Sequence, residues 1–274
     1  MSPRHLPAGA AAALGLLALL LGVAPAPATA AEGGAGAARG DAREGEGTPG
    51  WAVRLDTYAW ASGLSGRVRT LPPLPAARVD LGAGEVLGNL DGALMLSTEA
   101  VRGRLVLLGD TFYARISPRQ SFALDGVPGS ARLGSSTFSA MLAGGYRLVD
   151  RPGVRLDALA GLRVFALSNE LRVQLGPLPA ASLARSAAWV DPLVGAQLQV
   201  ALTERLSLRT VAVVGGFGAG SRLMWDAYAG LAWRLDERAS LFAGYRALSV
   251  DYRHDGYLYD TVQHGMLAGV SFRL

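Results

Sequence analysis

The chain has 274 residues, half of them hydrophobic and 18% charged, a formal net charge of +4, and neither Cys nor Lys. The missing Cys excludes disulfides, thiolate metal sites and lipid attachment through an N-terminal Cys, and GC-rich coding accounts for Arg being used in place of Lys. The arginines stand singly among apolar positions, without the clustering that binds nucleic acid, so no nucleic-acid partner is expected.

Residues 1–30 read as a cleaved signal peptide. Arg4 and His5 make the basic start, Ala10 to Val23 the apolar core, and Ala28, Thr29 and Ala30 the small-residue cleavage site. Pro25 and Pro27 end the apolar segment too early for an anchor helix. Residues 31–50 are mostly Gly, Ala, Glu and Arg and are expected to form a disordered periplasmic leader. No later apolar run reaches the roughly 20 residues of a membrane-spanning helix.

From Trp51 to Leu274 the chain alternates with a period of two, the signature of strands with two unlike faces. In the first strand Val53, Leu55, Thr57, Ala59 and Ala61 oppose Arg54, Asp56, Tyr58 and Trp60. A long Pro-rich connection over 69–90 holds a short strand near Ala77 to Leu81 and a helical turn near Glu85 to Leu90. The second strand, Ala93 to Val101, sets Leu94, Leu96, Thr98 and Ala100 against Met95, Ser97 and Glu99. On the third, Arg104 to Ser117, placing Asp110 inside puts Val106, Leu108 and Phe112 with it. The fourth opposes Phe138, Ala140, Leu142, Tyr146 and Leu148 to Ser139, Met141, Gly145 and Arg147, and the fifth separates Arg155, Asp157 and Arg163 from an aliphatic row beginning at Val154. On the sixth, Asp191, Gln197 and Gln199 share a face with Trp189; the seventh has Arg209 inside. The eighth opposes Leu223, Trp225 and Trp233 to Asp226, Tyr228 and Arg234, and the ninth carries Arg246 inward before its pattern fades near Ser249. The closing strand has Met266, Ala268, Val270, Phe272 and Leu274 on one face, with Leu267 an apolar exception on the other.

Short connections at 102–103, 150–153, 203–204 and 236–237 alternate with longer ones at 69–90, 118–133, 168–186 and 253–260, or with the Gly-rich 215–221. That asymmetry is expected of a membrane barrel with tight periplasmic turns and larger external loops. The pattern therefore predicts an all-β protein, a closed antiparallel up-and-down transmembrane β-barrel of about ten strands. Eight is the alternative if two strands belong to an external extension.

A soluble lipocalin-like carrier would alternate too, with its apolar face inward. The polar face collects Arg54, Asp56, Glu99, Asp110, Arg147, Arg155, Asp157, Arg163, Asp191, Arg209, Asp226, Arg234 and Arg246. A charge at the bilayer midplane costs roughly 2–4 kcal/mol, so these residues are assigned to the lumen. Their mixed signs predict Arg–carboxylate pairs between neighbouring strands and a lumen largely filled by side chains. Tyr113, Tyr146, Trp225, Trp233, Tyr245 and Phe272 suit aromatic girdles at the two interfaces.

Other motifs are weaker. The Gly216 to Gly220 stretch precedes a strand, not the helix N-terminus a phosphate loop requires, and reads as a bend. His254 with Asp251, Asp255 and Asp260 could serve an outer-membrane enzyme, but no Ser is tied to it by spacing. No enzymatic activity, metal or cofactor is expected.

The chain ending, with Gly269, Phe272 and a hydrophobic Leu274, resembles the C-terminal assembly signal of bacterial outer-membrane barrels. The stretches Glu85 to Met95, Trp189 to Ala196, Gly215 to Trp225 and Gly244 to Tyr252 resemble a proteobacterial family of outer-membrane barrel proteins loosely akin to OmpW and OmpA-like barrels. The resemblance implies export through the periplasm and location in the outer membrane. Its implied partners are lipid, lipopolysaccharide and the barrel-assembly machinery, with the protein a monomer. The expected role is envelope structure or restricted passage of small solutes.

Overall fold

A computed structural model describes residues 50–274, except 73 and 125. The signal peptide assigned to 1–30 and the leader assigned to 31–50 fall outside the described residues, apart from Gly50. In chain order the elements are β1 (Ala52–Arg69), β2 (Ala77–Leu81), α1 (Ala83–Gly88), β3 (Leu90–Arg102), β4 (Leu105–Ile116), β5 (Arg119–Leu124) and β6 (Val127–Arg151). They continue with β7 (Val154–Leu175), β8 (Ala181–Ala201), β9 (Leu206–Gly215), β10 (Leu223–Arg234), β11 (Ala239–His254) and β12 (Tyr257–Arg273).

Each strand pairs antiparallel with its neighbours, and β12 returns to β1 along almost its whole length, from Arg54↔Arg273 to Arg69↔Leu258. That last pairing gives the chain's two terminal strands a common ladder, so neither is left as an open edge. Of the twelve strands, β2 pairs only with β1 and β5 only with β6, which leaves ten in the barrel wall. The short strand at Ala77–Leu81 lies where alternation places it, and the helical turn spans Ala83–Gly88, two residues earlier than expected.

The faces also follow the alternation. Leu105, Leu107, Leu142, Leu148, Leu162, Val194, Leu231 and Leu241 are exposed on the outer surface, while Asp157, Arg163 and Asp191 are fully buried inside. An aliphatic exterior around an ionic interior is the reverse of a soluble carrier, so the lipocalin-like alternative fails on orientation. Tyr113, Tyr146, Trp233, Tyr245 and Phe272 are exposed on that outer face, and Trp225 is half-exposed.

Three of the expected connections are instead strand. Residues 118–133 form β5 and the start of β6, residues 168–186 form the β7–β8 hairpin with its turn at 176–180, and residues 253–260 belong mostly to β11 and β12. The strand β6 alone has 25 residues, well beyond the about 9–11 that cross a bilayer. Ser130, Arg132, Glu170, Arg172, Ser182 and Arg185 put polar groups on both faces there, which erases the two-faced signal while leaving the ladder intact.

Two breaks in the wall shape the interior. The β1–β3 ladder runs only from Ala52↔Val101 to Thr57↔Leu96; further up, β1 pairs with β2 instead. Gly63 permits that switch, because a Cβ there would lie 2.8 Å from the Leu81 carbonyl oxygen. On the far side β9 ends at Gly215 opposite Leu193, just below Pro192, which offers no N–H to a further ladder bond. The bend after Gly215 folds back there, with Gly216 N–H donating to Pro192 O at 3.0 Å.

Candidate functional site in the lumen

The lumen has three levels, counted from the short-turn rim. The first is a cup of about 600 Å³ that opens at that rim between Thr203, Glu204 and Leu274. Its floor is ionic: Arg54 donates to both oxygens of Glu99 at 3.2 and 3.1 Å, and Gln199 adds a bond at 3.1 Å. Gln197 reaches the same carboxylate from β8, on the other side of the barrel. Arg147 and Asp157, directly opposed on β6 and β7, pair at 2.9 Å in the wall. Arg209 stands beside them, 4.0 Å from Asp56, and makes no side-chain hydrogen bond among the described residues.

The second level is a crossbar. Arg246 on β11 reaches Asp110 on β4 at 2.5 Å and its diagonal neighbour Asp226 at 2.7 Å, and donates to the Tyr58 hydroxyl at 2.7 Å. Tyr58 in turn donates to Asp110 at 2.7 Å, and Arg163 on β7 completes Asp226 at 2.6 Å. The guanidinium of Arg246 also lies 5.2 Å from the Trp60 ring and 5.9 Å from that of Phe112. Two cations sharing two carboxylates, with aromatic faces against one of them, compensate most of the cost of burying the charges. Beside the crossbar only about 80 Å³ stays empty, bordered by Met141, Tyr228, Phe242 and Leu267.

Aromatic side chains fill the third level. Trp189 stacks on Tyr252 with centroids 3.8 Å apart and on Phe165 at 5.1 Å; Tyr259 packs against Trp189 at 6.4 Å, and Tyr257 packs edge-on against Tyr252 at 6.1 Å. Asn169 on β7 donates to the Tyr257 hydroxyl on β12 at 3.2 Å, which ties opposite walls together. The indole N–H of Trp189 donates to Ser221 Oγ at 3.0 Å, and Ser221 is held by Asp191 through its N–H and its hydroxyl. The Gly-rich bend thus buries Ser221 against the wall while Phe217 stays exposed; no helix follows it, as β10 starts at Leu223. A residual space of about 10 Å³ separates this layer from the crossbar.

Most of the charged residues assigned to the lumen meet there, with two departures. Arg155 and Arg234 lie on inward rows but at the exposed rim of the cup, where Arg155 pairs with Asp150 at 3.6 Å and Arg234 donates to the Glu204 carbonyl. The expected neighbouring-strand pairs form at Arg54–Glu99, Arg147–Asp157 and Arg246–Asp226, but two further bonds cross the lumen: Arg246 reaches Asp110, and Arg163 faces Asp191 in register yet bonds Asp226. Residues not selected from sequence are Tyr58, Gln197, Trp189, Asn169, Ser221, Tyr252, Tyr257 and Tyr259. Alternation did carry a signal for Val250, Tyr252, Tyr257 and Tyr259, with the inward face apolar instead of charged.

The assembly-signal residues lie on the β1–β12 seam. Phe272 opposes Leu55 and faces outward, Leu274 N–H donates to Val53 O at 2.9 Å, and Gly269 faces the lumen. A Cβ at Gly269 would sit 2.2 Å from Thr57 O. Among the described residues His254 pairs only with the adjacent Asp255, at 3.2 Å on the surface, and His264 bonds Tyr245 on the outer face at 2.6 Å. No group of three or more His, Cys, Asp or Glu side chains among the described residues could hold a metal.

Among solved structures, the chain is similar to the outer membrane protease OmpT from Escherichia coli, with a TM-score of 0.53 and 10% identity over 81% of this chain and 97% of that one. The fold is that of an outer-membrane β-barrel. At that identity the likeness extends to fold alone. The translocator domain of the autotransporter NalP from Neisseria meningitidis scores 0.44 with 13% identity, over 84% of this chain and 90% of that one. Ail of Yersinia pestis scores 0.33 with 11% identity, over 82% and 99% of the two chains; neither score carries an argument. No protein-family model and no curated protein matches the chain.

Proposed function

We propose that this protein is a closed barrel of the bacterial outer membrane, exported through the periplasm, whose role is envelope structure and not bulk diffusion. One observation carries the reading: Arg246 spans the lumen to Asp110 and Asp226, and a packed aromatic layer lies directly above it. An ion moving along the axis would have to separate buried charge pairs, each break costing about 3–5 kcal/mol. The short turns then face the periplasm, and the extended β6–β7–β8 hairpins reach beyond the opposite surface. Kinship with OmpW and OmpA-like barrels belongs to this proposal, as do a monomeric state, contacts with lipopolysaccharide and assembly by the barrel-insertion machinery.

Catalysis is not part of the reading. The His254–Asp255 pair is exposed and adjoins no Ser hydroxyl in a hydrogen-bonded chain, so it supplies neither an activated nucleophile nor an oriented base. Purified protein in planar bilayers tests the proposal. Silent membranes are expected, whereas steady ohmic steps from the parent protein would contradict it. Lipid and peptide turnover by the same preparation should be absent, and turnover lost on His254→Ala would establish an enzyme instead.

A further inference from the structure

We propose that the cup at the short-turn rim is a binding site for a small multivalent oxyanion bearing phosphate or carboxylate groups; this rests on the closed-barrel reading, which makes the cup blind. Its volume of about 600 Å³ is that of a small-molecule pocket. Seven arginines line it: Arg54 and Arg147 at the floor and wall, Arg155, Arg209 and Arg234 on inward rows, and Arg205 and Arg273 at the mouth. The lining supplies the Glu99 and Glu204 side chains and the α-carboxylate of Leu274 in return, and counting the partners behind the wall adds Asp56, Asp150 and Asp157. Cations stay in excess on either count.

The unbalanced charge is localised. Arg205, Arg234 and Arg273 have no carboxylate within 4.0 Å among the described residues, and Arg209 has Asp56 only at that limit. Arg209 is the informative one, since its side chain is 11% exposed and it makes no side-chain hydrogen bond. A guanidinium taken this far from bulk water normally has its fork filled, as that of Arg246 is by two carboxylates. Among the described residues Arg163, fully buried in the crossbar, leaves its Nε and Nη1 without a partner inside the packed wall, whereas Arg209 lines the open cup, where a ligand can reach it. Four incompletely paired guanidiniums around one space suit a ligand carrying several oxyanion groups, each able to accept two parallel N–H bonds.

The experiment titrates sodium tripolyphosphate into the mature protein in neutral detergent by calorimetry. Saturable binding that weakens with added salt is expected. Arg209→Gln should weaken it roughly tenfold or more, as the loss of charge-assisted bonds implies. The exposed pair Arg205→Gln/Arg273→Gln should weaken it as well, and decides the matter if the buried variant does not fold. Arg67→Gln, in a surface pair with Asp260 on the opposite rim, should bind as the parent does. Competition by phosphatidylglycerol vesicles would mark a lipid headgroup as the source of the anion, and its failure a soluble solute. No saturable binding, unchanged binding in the Arg209 and rim variants, or an equal loss with Arg67→Gln would overturn the proposal. Bilayer recordings on the same protein keep the two readings apart, because a silent parent that binds nothing ends only the anion site, whereas a conducting parent ends the closed barrel and the blind cup with it.

Discussion

The two ends of the lumen solve the same packing problem by opposite means. At the short-turn end, side chains on inward rows are charged, long and incompletely paired, and about 600 Å³ stays open. At the other end the inward rows carry Phe165, Trp189, Tyr252, Tyr257 and Tyr259, and almost no space remains. The crossbar of Arg246, Asp110, Asp226 and Arg163 divides them. Aromatic rings close a pore by area and shape; guanidiniums keep it wet because each donor requires an acceptor. A barrel sealed at one end and cationic at the other has the form that the proposed anion site requires.

Four substitutions sharpen this contrast, in order of expected effect. Arg246→Ala leaves Asp110 and Asp226 as buried carboxylates short of a partner and should cost about 3–5 kcal/mol in urea unfolding of the folded barrel. Tyr257→Phe removes only the hydroxyl that accepts from Asn169 and should cost about 1 kcal/mol by the same assay. Arg209→Gln should change stability by less than about 1 kcal/mol, because no hydrogen bond is lost. A loss comparable to that of Arg246→Ala would mean that the cup is as tightly braced as the crossbar.

The smallest effect belongs to the turn at the short-turn rim. Asp236 accepts the N–H groups of Arg238 and Ala239, both at 2.8 Å, which holds its carboxyl below the ordinary carboxylate range. Its contribution to the turn is present above the unfolded carboxylate value and is lost as pH falls through the lowered one. Amide chemical shifts of Arg238 and Ala239 should titrate in that acidic window, and Asp236→Asn should abolish the titration.

How far the sequence revealed this arrangement differs between the two ends for a physical reason. Where the wall would cross hydrocarbon, lipid tolerates no charge outside, so Leu142 against Met141 or Leu162 against Arg163 declares its face at once. Leu267 broke the pattern because it borders the small central chamber with Phe242, where an apolar side chain fits the lumen. Beyond the oily belt neither face is constrained, so the ends of β6, β7 and β8 have the composition of connections. The inward aromatic layer carries no charge to mark its face, because the interior there is apolar, the reverse of the ionic interior lower down. Pairing was harder still: alternation shows that Arg163 points inward but not that it passes Asp191 to reach Asp226.

The claim beneath all of this is that the aliphatic surface meets lipid while the ionic surface meets itself. The chain has no native Cys, so single reporters can be introduced at Leu162, 53% exposed on the outer face, and at Leu274 beside the cup mouth. With a fluorophore on each variant in liposomes, brominated acyl chains should quench the Leu162→Cys reporter strongly, and aqueous iodide should quench the Leu274→Cys reporter in preference. Iodide quenching of the Leu162→Cys reporter with no effect of brominated lipid would contradict the account.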